Sequence, residues 1–382
     1  MKHLTLNLDT DDFLANYWQK KPLLIRNAFD AFQLPITAEE LAGLACEEGI
    51  ESRLVLEKGG STPWEVRHGP FSETDFTTLP DSYWTLLVQD VEKHLPELLP
   101  LLDVFDFIPA WRLDDLMISY ATNQGSVGPH LDAYDVFLIQ TQGRRHWNIS
   151  SQFNEQSALL ADIDLKILQD FIPEQDWILE PGDILYLPPN IAHHGIALNN
   201  CMTCSVGFRA PGISELIHSY TECVIQNLDL SEHFTDQNRT RQRYTHELDD
   251  SDIEKLKSWV LHQIEQPSPV IQHCLGTLLT ESKENFIPFI PDKVLSKQEF
   301  LNLWETQGKL YRDTRLRFLF KQSPSCIDFY IDAAHISCVT ADTVNPEYLC
   351  SVTQIDFKAG LHKQLTDLLY QFYQHGYYYL EQ

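Results

Sequence analysis

Cations are scarce in this chain. Lysine and arginine number 28 against 55 aspartates and glutamates, a formal net charge of −27. A protein of that sign lacks the basic footprint of a nucleic-acid binder, so no direct nucleic-acid partner is expected. The imbalance favours a basic partner, or simply a solvated acidic surface. It is also uneven: residues 1–290 carry 44 acidic and 19 basic side chains, residues 291–382 carry 11 and 9. Apolar runs on the order of 18 residues are missing, so no membrane span is expected. The opening Met1–Asp9 has no apolar signal core. The eight cysteines (46, 201, 204, 223, 274, 326, 338 and 350) are too dispersed for a disulfide framework. Cys201 and Cys204 form a lone CxxC. Structural zinc would want a second pair, so buried thiols in a β-like run are the better reading. Together these absences predict a soluble cytoplasmic protein with reduced cysteines. Internal repeats and low-complexity tracts are also missing.

What is present is an ordinary globular composition, 43% hydrophobic over 382 residues. That suggests two or three domains with a sizeable core. Phe13, Leu14, Tyr17 and Trp18 make an apolar stripe on a short helix over 11–18, and 22–25 reads as a strand. From Trp111 to Ala210 the chain turns to short apolar runs over 116–120, 131–141, 144–149, 183–187, 195–198 and 202–208. Gly, Pro and Asn punctuate them, the pattern of a sandwich or barrel. Helical spacing follows at Ile213, Leu216, Ile217, Tyr220 and Val224. A second helix opens with a capping box at Ser251 and Glu254. Residues 266–291, with four prolines, read as a connector. Ser296 and Glu299 cap another helix over 297–305. Strands at 316–320, 327–331 and 335–339 and a helix over about 361–375 complete a winged-helix-like module.

The chemistry concentrates in the β region. In His130-Leu131-Asp132, residues i and i+2 of a strand present imidazole and carboxylate to one face. His193 follows the turn Pro188-Pro189-Asn190. Two histidines and a carboxylate make a facial triad, which suits non-haem Fe(II) and leaves open coordination positions. The spacing from Gly182 through Pro188 to His193 resembles the second metal motif of cupins. Asn190 stands where that motif has glycine, and asparagine tolerates the left-handed conformation. That spacing selects His193 over His194, and His146 reads as a packing or surface residue. A 2-oxoglutarate-dependent enzyme needs a cation for the far carboxylate of its co-substrate. Arg144 and Arg145 face opposite ways on their strand, and Arg145 enters the barrel if Trp147 does. Tyr134 shares the strand face of His130 and Asp132. Thr203, Ser205 and Gly207 form a small polar face on their strand. Asp114 and Asp115 are equivalent on this reading, each able to pair with a guanidinium.

Several segments together resemble JmjC-type ribosomal oxygenases. They are Phe13–Leu23, Trp111–Ser119, Gly128-Pro129-His130-Leu131-Asp132, Tyr134-Asp135-Val136-Phe137 and Ser205–Pro211. The match is densest over residues 1–212. The resemblance implies an α+β chain in three parts. Residues 1–212 would form a catalytic double-stranded β-helix (the cupin/JmjC jelly roll), 213–270 a helical dimerisation region, and 271–382 a C-terminal winged-helix-like domain. It implies Fe(II) on His130, Asp132 and His193, with 2-oxoglutarate on Arg145 and O₂ as the other co-substrate. It implies substrate contacts at Asp115, Tyr134 and Ser205. The implied activity is hydroxylation of an arginine in a basic large-subunit ribosomal protein by a cytoplasmic homodimer. The same superfamily also contains ribosomal histidine hydroxylases, and a cupin can hold a metal without turnover. The chain departs from the family's usual pattern before the Gly-Pro-His element, where it carries Ala121 and Asn123-Gln124-Gly125-Ser126.

Overall fold

The structure is a computed structural model that describes residues 4–381 apart from 30–31, 59–62, 210, 229–230, 242, 266–267, 283–293 and 341. It divides into two compact units, residues 1–210 and 211–382.

The first unit begins with α1 (Thr10–Asn16), capped by the Asp9 carboxylate on the Asp12 amide. Then come β1 (Leu23–Ile25), α2 (Ala38–Leu44), β2 (Ser52–Glu57), β3 (Trp64–His68), α3 (Glu73–Thr77), β4 (Trp84–Val88) and α4 (Leu99–Leu102). The strands β5 (Leu113–Ala121), β6 (Asp135–Gln142), β7 (Arg145–Ser150), β8 (Gln175–Leu179), β9 (Ile184–Leu187), β10 (Ala192–Ala197) and β11 (Cys201–Phe208) complete it. Eight strands form one antiparallel sheet in the order β1-β9-β6-β11-β5-β4-β2-β3, and β10-β7-β8 form a second.

Strand alternation explains what each face of the large sheet does. Leu116, Ile118, Phe137, Ile139, Met202, Cys204, Val206 and Phe208 point into a core with Phe13, Leu41, Leu98 and Leu101. Phe13 is fully buried, its ring 4.8 Å from Tyr186. Removing such a ring costs about 3–5 kcal/mol. The opposite face turns toward the small sheet. There Val136, Leu138, Leu185 and Leu187 meet Trp147, Ile149 and Leu179. Where the small Ser119 and Ser205 stand beside Met117, this inter-sheet layer opens into a cavity.

The expected strands of the β region are present with shifted ends. One correction bears on the site: residues 131–134 are not strand, because β6 begins at Asp135. His130 makes an isolated antiparallel bridge to His193 instead. The Asp135 carboxylate is the reason the strand starts there. It is fully buried and accepts from Tyr186 Oη at 2.6 Å, Arg112 Nη2 at 3.0 Å and Gln19 Nε2 at 3.0 Å. A buried carboxylate with three donors is satisfied and pins the chain just after the site.

The second unit contains α5 (Ile213–Asn227), α6 (Asp250–Ile264), α7 (Ser268–Thr280), α8 (Lys297–Gln307), β12 (Lys309–Arg312), β13 (Phe318–Gln322), β14 (Cys326–Ile331) and β15 (Ala334–Val339). It ends with α9 (Pro346–Ser351), β16 (Gln354–Asp356), α10 (Lys363–Gln374) and β17 (Tyr378–Tyr379). Two three-stranded sheets, β16-β12-β17 and β13-β14-β15, pack with α8 and α10 around Phe300, Trp304, Phe329 and Phe372. The Ser296–Glu299 capping box is formed. The helix expected from Ser251 starts one residue earlier and is capped by Asp249, which accepts from the Ser251 amide. Two further expectations are corrected. The supposed connector contains α7, because Pro269 sits in the first turn, where the missing N–H costs no helical bond. Cys223 and Cys274 are joined in a disulfide between α5 and α7 rather than held as thiols; their separation of 51 residues gave no spacing signal. Cys201 and Cys204 are buried free thiols, as read. No helix among the described residues is long and apolar enough to cross a membrane.

Candidate metal and co-substrate site

His130, Asp132 and His193 converge. One ligand atom from each lies within 4.8 Å of the others, and no second such cluster occurs among the described residues. The bridge between the histidines is a closed pair of backbone hydrogen bonds, 3.0 Å from His130 N to His193 O and 2.9 Å in return. Asp132 is positioned by its carbonyl, which accepts from Asn190 N at 2.8 Å. Asn190 has φ +65, the left-handed conformation the turn requires. The cupin-like turn therefore orients His193 and anchors Asp132 at once.

The protonation pattern prepares the donors. His130 Nδ1 lies 3.0 Å from the Gly128 carbonyl oxygen and His193 Nδ1 lies 3.0 Å from that of Ile191. A carbonyl only accepts, so each Nδ1 carries the proton and each Nε2 lone pair faces the centre. The Nε2 atoms lie 3.9 and 3.5 Å from Asp132 Oδ2. Burial, then the neighbouring His130, pushes the His193 imidazole down to about 4, so it is neutral at physiological pH. Two imidazoles and one carboxylate on one side of a centre suit a six-coordinate ferrous ion with its other positions open. His194 points away, its ring near Phe171, and His146 bonds Asp176 on the small sheet.

The triad opens on a cavity of about 560 Å³. Arg145 and Trp147 both line it, whereas Arg144 does not. Arg145 is 4% exposed. Its Nη1 donates to Ser119 Oγ and Thr203 Oγ1, each at 3.3 Å, and Thr203 in turn donates to Gln140 Oε1. These partners are neutral, and Nε has no hydrogen-bond partner. Burial pushes the guanidinium pKa down, yet an arginine stays charged. A buried cation with an unsatisfied donor in a cavity is a receptor for an anion, and its planar fork matches a carboxylate.

Met117 and Ser119 line the cavity from β5, and Asp115 is brought beside it by contact with Gln89, at the point where the β5–β11 register shifts opposite Asp114 and Asp115. Ser205 lines the cavity directly across from Met117. Tyr134, although not on a strand, lies at the cavity's edge and is 41% exposed. Burial of its hydroxyl, then the Asp132 and Asp115 charges, holds the phenol protonated. Leu159, Leu160, Ile163 and Ile167, from the segment between β7 and β8, close another side. Sequence reasoning placed Thr203 on a small polar face but missed Ser119 and Gln140 around Arg145, and Arg53 and Gln89 on the far wall. None of those missed carries a motif; alternation along β5 is the signal that could have found Ser119.

The comparisons with known proteins agree with this geometry. A family model described as the JmjC domain matches residues 100–216. The chain is 38% identical to the ribosomal protein uL16 3-hydroxylase of Escherichia coli, across 76% of this chain and 78% of that protein. It belongs to the ribosomal oxygenase family. A probable ribosomal oxygenase of Haemophilus influenzae is 32% identical across 82% of this chain and 78% of its own length. Among solved structures, the E. coli ribosomal oxygenase YcfD in complex with cobalt and 2-oxoglutarate superposes with a TM-score of 0.84, at 32% identity, over 99% of this chain and all of that one. The ribosomal oxygenase fold thus extends across both units, and its metal and co-substrate chemistry matches the donor set and orphaned cation found here.

Proposed function

We propose that this ribosomal oxygenase is an Fe(II)- and 2-oxoglutarate-dependent hydroxylase of an arginine in a ribosomal protein of the uL16 type. The observation that carries the reading is the buried, neutral-partnered Arg145 in the same cavity as the His130–Asp132–His193 triad. In this reading the triad holds the iron, and 2-oxoglutarate places its far carboxylate on Arg145. The bound metal with its co-substrate supplies the oxidising power for an unactivated C–H bond.

The chain's own residues then orient and exclude. Arg145 fixes one end of the co-substrate, with Ser119 and Thr203 holding the guanidinium plane. Asp115 neutralises the target guanidinium and so decides which carbon faces the triad. Tyr134 and Ser205 contact the same side chain, the phenol as a neutral donor. Leu159, Leu160, Ile163 and Ile167 keep water from the reacting carbon. A carboxylate at this position favours a cationic target over the imidazole of the family's histidine hydroxylases. The catalytic portion's excess of 44 acidic over 19 basic residues suits a basic ribosomal loop. A substrate of that kind places the enzyme in the cytoplasm.

The second unit is read as a dimerisation region followed by a winged-helix-like module. Ile213, Ile217 and Ile225 on α5 and Ile253, Val260 and Leu261 on α6 are exposed, which supports pairing with a second copy.

The test is mass spectrometry of a uL16 peptide incubated with the protein, Fe(II), 2-oxoglutarate and O₂, beside a His130→Ala control. A gain of one oxygen on arginine, absent in the control, is expected. Succinate formed without peptide oxidation would keep the oxygenase and discard the target. Neither product, with iron bound, would leave a metal-binding cupin.

A further inference from the structure

Asp115 does not stand alone beside the cavity. Arg53 on β2 and Gln89 just after β4 line the same cavity, on the side away from the small sheet. Arg53 pairs with Leu87, Leu87 with Ser119, and Gln89 lies two residues beyond Leu87 on the same face. Arg53, Gln89 and Asp115 therefore lie in successive rows, each about two residues beyond the last, and run diagonally across β2, the end of β4 and β5. The Gln89 amide satisfies both neighbours in one orientation. It donates to Asp115 Oδ2 at 2.9 Å and accepts from Arg53 Nη2 at 3.1 Å.

Chemistry enforces that orientation. A guanidinium has donors only and an ionised carboxylate acceptors only, so an amide between them must turn its oxygen to Arg53 and its NH₂ to Asp115. Arg53 Nε is buried without a hydrogen-bond partner, so no competing acceptor draws that atom elsewhere. On the other side, the position a Cβ on Gly207 would take lies 3.1 Å from Asp115 Oδ1. Any side chain at 207 would crowd that oxygen. The χ2 torsion of an aspartate is otherwise soft, and its carboxylate plane turns readily. Here one oxygen is tied to Gln89 and the other lies against Gly207.

We propose that Arg53 and Gln89 are positioning residues that fix the carboxylate plane of Asp115 and thereby set the preference for a guanidinium over a neutral side chain of the same shape. The inference rests on the reading of Asp115 as the group that meets the target arginine. Gln89 acts directly on Asp115, and Arg53 acts through Gln89.

The experiment measures, with the full-length protein, dissociation constants for a uL16 peptide carrying its arginine and for the same peptide carrying citrulline, which has the shape without the charge. The readout is the arginine-to-citrulline affinity ratio, which a merely structural role would not move. Asp115→Asn is expected to bring the ratio close to one. Gln89→Met is expected to lower it about tenfold, the worth of one charge-assisted hydrogen bond. Arg53→Met lowers it less, and Arg53→Lys, which keeps a cationic donor, restores most of it. The Arg53→Met/Gln89→Met double variant falls no further than Gln89→Met, because the two act in series. Gln89→Asn, too short to reach both partners, repeats the effect if Gln89→Met fails to fold. Wild-type ratios in the Gln89 and Arg53 variants, with the ratio lost in Asp115→Asn, overturn the positioning role and leave the reading of Asp115 intact. An unchanged ratio in Asp115→Asn removes that reading and the positioning role together.

Discussion

Glu92 offers a prediction whose size can be worked from its surroundings. It follows β4 in a short helical turn, is 6% exposed, and accepts from the Leu116 backbone amide at 3.0 Å. That bond fastens the turn to β5 one residue from Asp115. Burial, and then the nearby Asp90 charge, raises its carboxyl from 4.5 to about 8, with Asp115 adding to the rise. Lys93 does little to offset this, because its ammonium is paired with Asp90 at 2.7 Å. The native state thus keeps a proton that the unfolded chain releases near 4.5. Between the two values the native state binds more protons, so stability is fullest below 4.5 and is lost as pH climbs toward 8. Integrating between pH 5 and 7 gives a loss of about 2.5 kcal/mol from this one group. Glu92→Gln keeps an acceptor for Leu116 and removes the titration. The variant should match the wild type near pH 5 and exceed it by roughly 2–3 kcal/mol at pH 7. Hydrogen exchange of the β5 segment, compared between the two proteins at each pH, reports the unit that holds Glu92. Parallel pH profiles would show that Glu92 ionises normally and refute the argument. The corollary is that Asp115 has a neutral Glu92 as neighbour at physiological pH.

Three further outcomes are expected. Arg145→Met should weaken 2-oxoglutarate binding by about a hundredfold or more in a calorimetric titration, because it removes a desolvated partner for a carboxylate. The same variant should melt no lower than the wild type, since an unsatisfied buried cation gives way to an apolar chain of similar length. A melting point well below wild type would mean that Ser119 and Thr203 satisfy the guanidinium better than the geometry suggests. His130→Ala should abolish the visible absorption of bound cobalt(II), whereas His194→Ala should leave it intact; loss in both would place His194 among the ligands. Gly195→Ala would put a Cβ 2.7 Å from the Trp147 ring. It should cost roughly 1–3 kcal/mol of stability through overpacking and shift Trp147 emission, while an unchanged spectrum would show that the wall yields elsewhere.

The legible part of this molecule was the part written in local chemistry. His193 was found because a turn of Pro188, Pro189 and Asn190 fixes where the chain must go, and Asn190 adopts the left-handed conformation its side chain tolerates. Arg145 was separable from Arg144 because a strand alternates, and one buried tryptophan two residues on sets the phase. Asp132 converged with His130 for a different reason than strand alternation. Residues 131–134 leave the sheet, and the carboxylate is carried inward by a backbone bond from Asn190. A two-residue period and a tight turn can deliver the same pair of side chains, and sequence spacing alone does not distinguish them.

What stayed hidden was what the sheet order creates. β2 and β4 are ordinary apolar strands in sequence, and nothing marks Arg53 or Gln89 as facing a cavity rather than solvent. They reach Asp115 only because β4 is inserted between β2 and β5, placing three polar side chains from three separate segments along one diagonal. The same holds for Ser119 and Thr203 around Arg145, and for Cys223 and Cys274, whose bond depends on α5 and α7 lying side by side. The metal ligands sit on backbone devices that each carry a sequence signature, so chemistry common to many oxygenases is readable early. The groups that hold Asp115 carry no signature and depend on strand order. If Asp115 meets the target as proposed, substrate preference resides where sequence inspection is weakest, and the Arg53 and Gln89 variants address that layer directly.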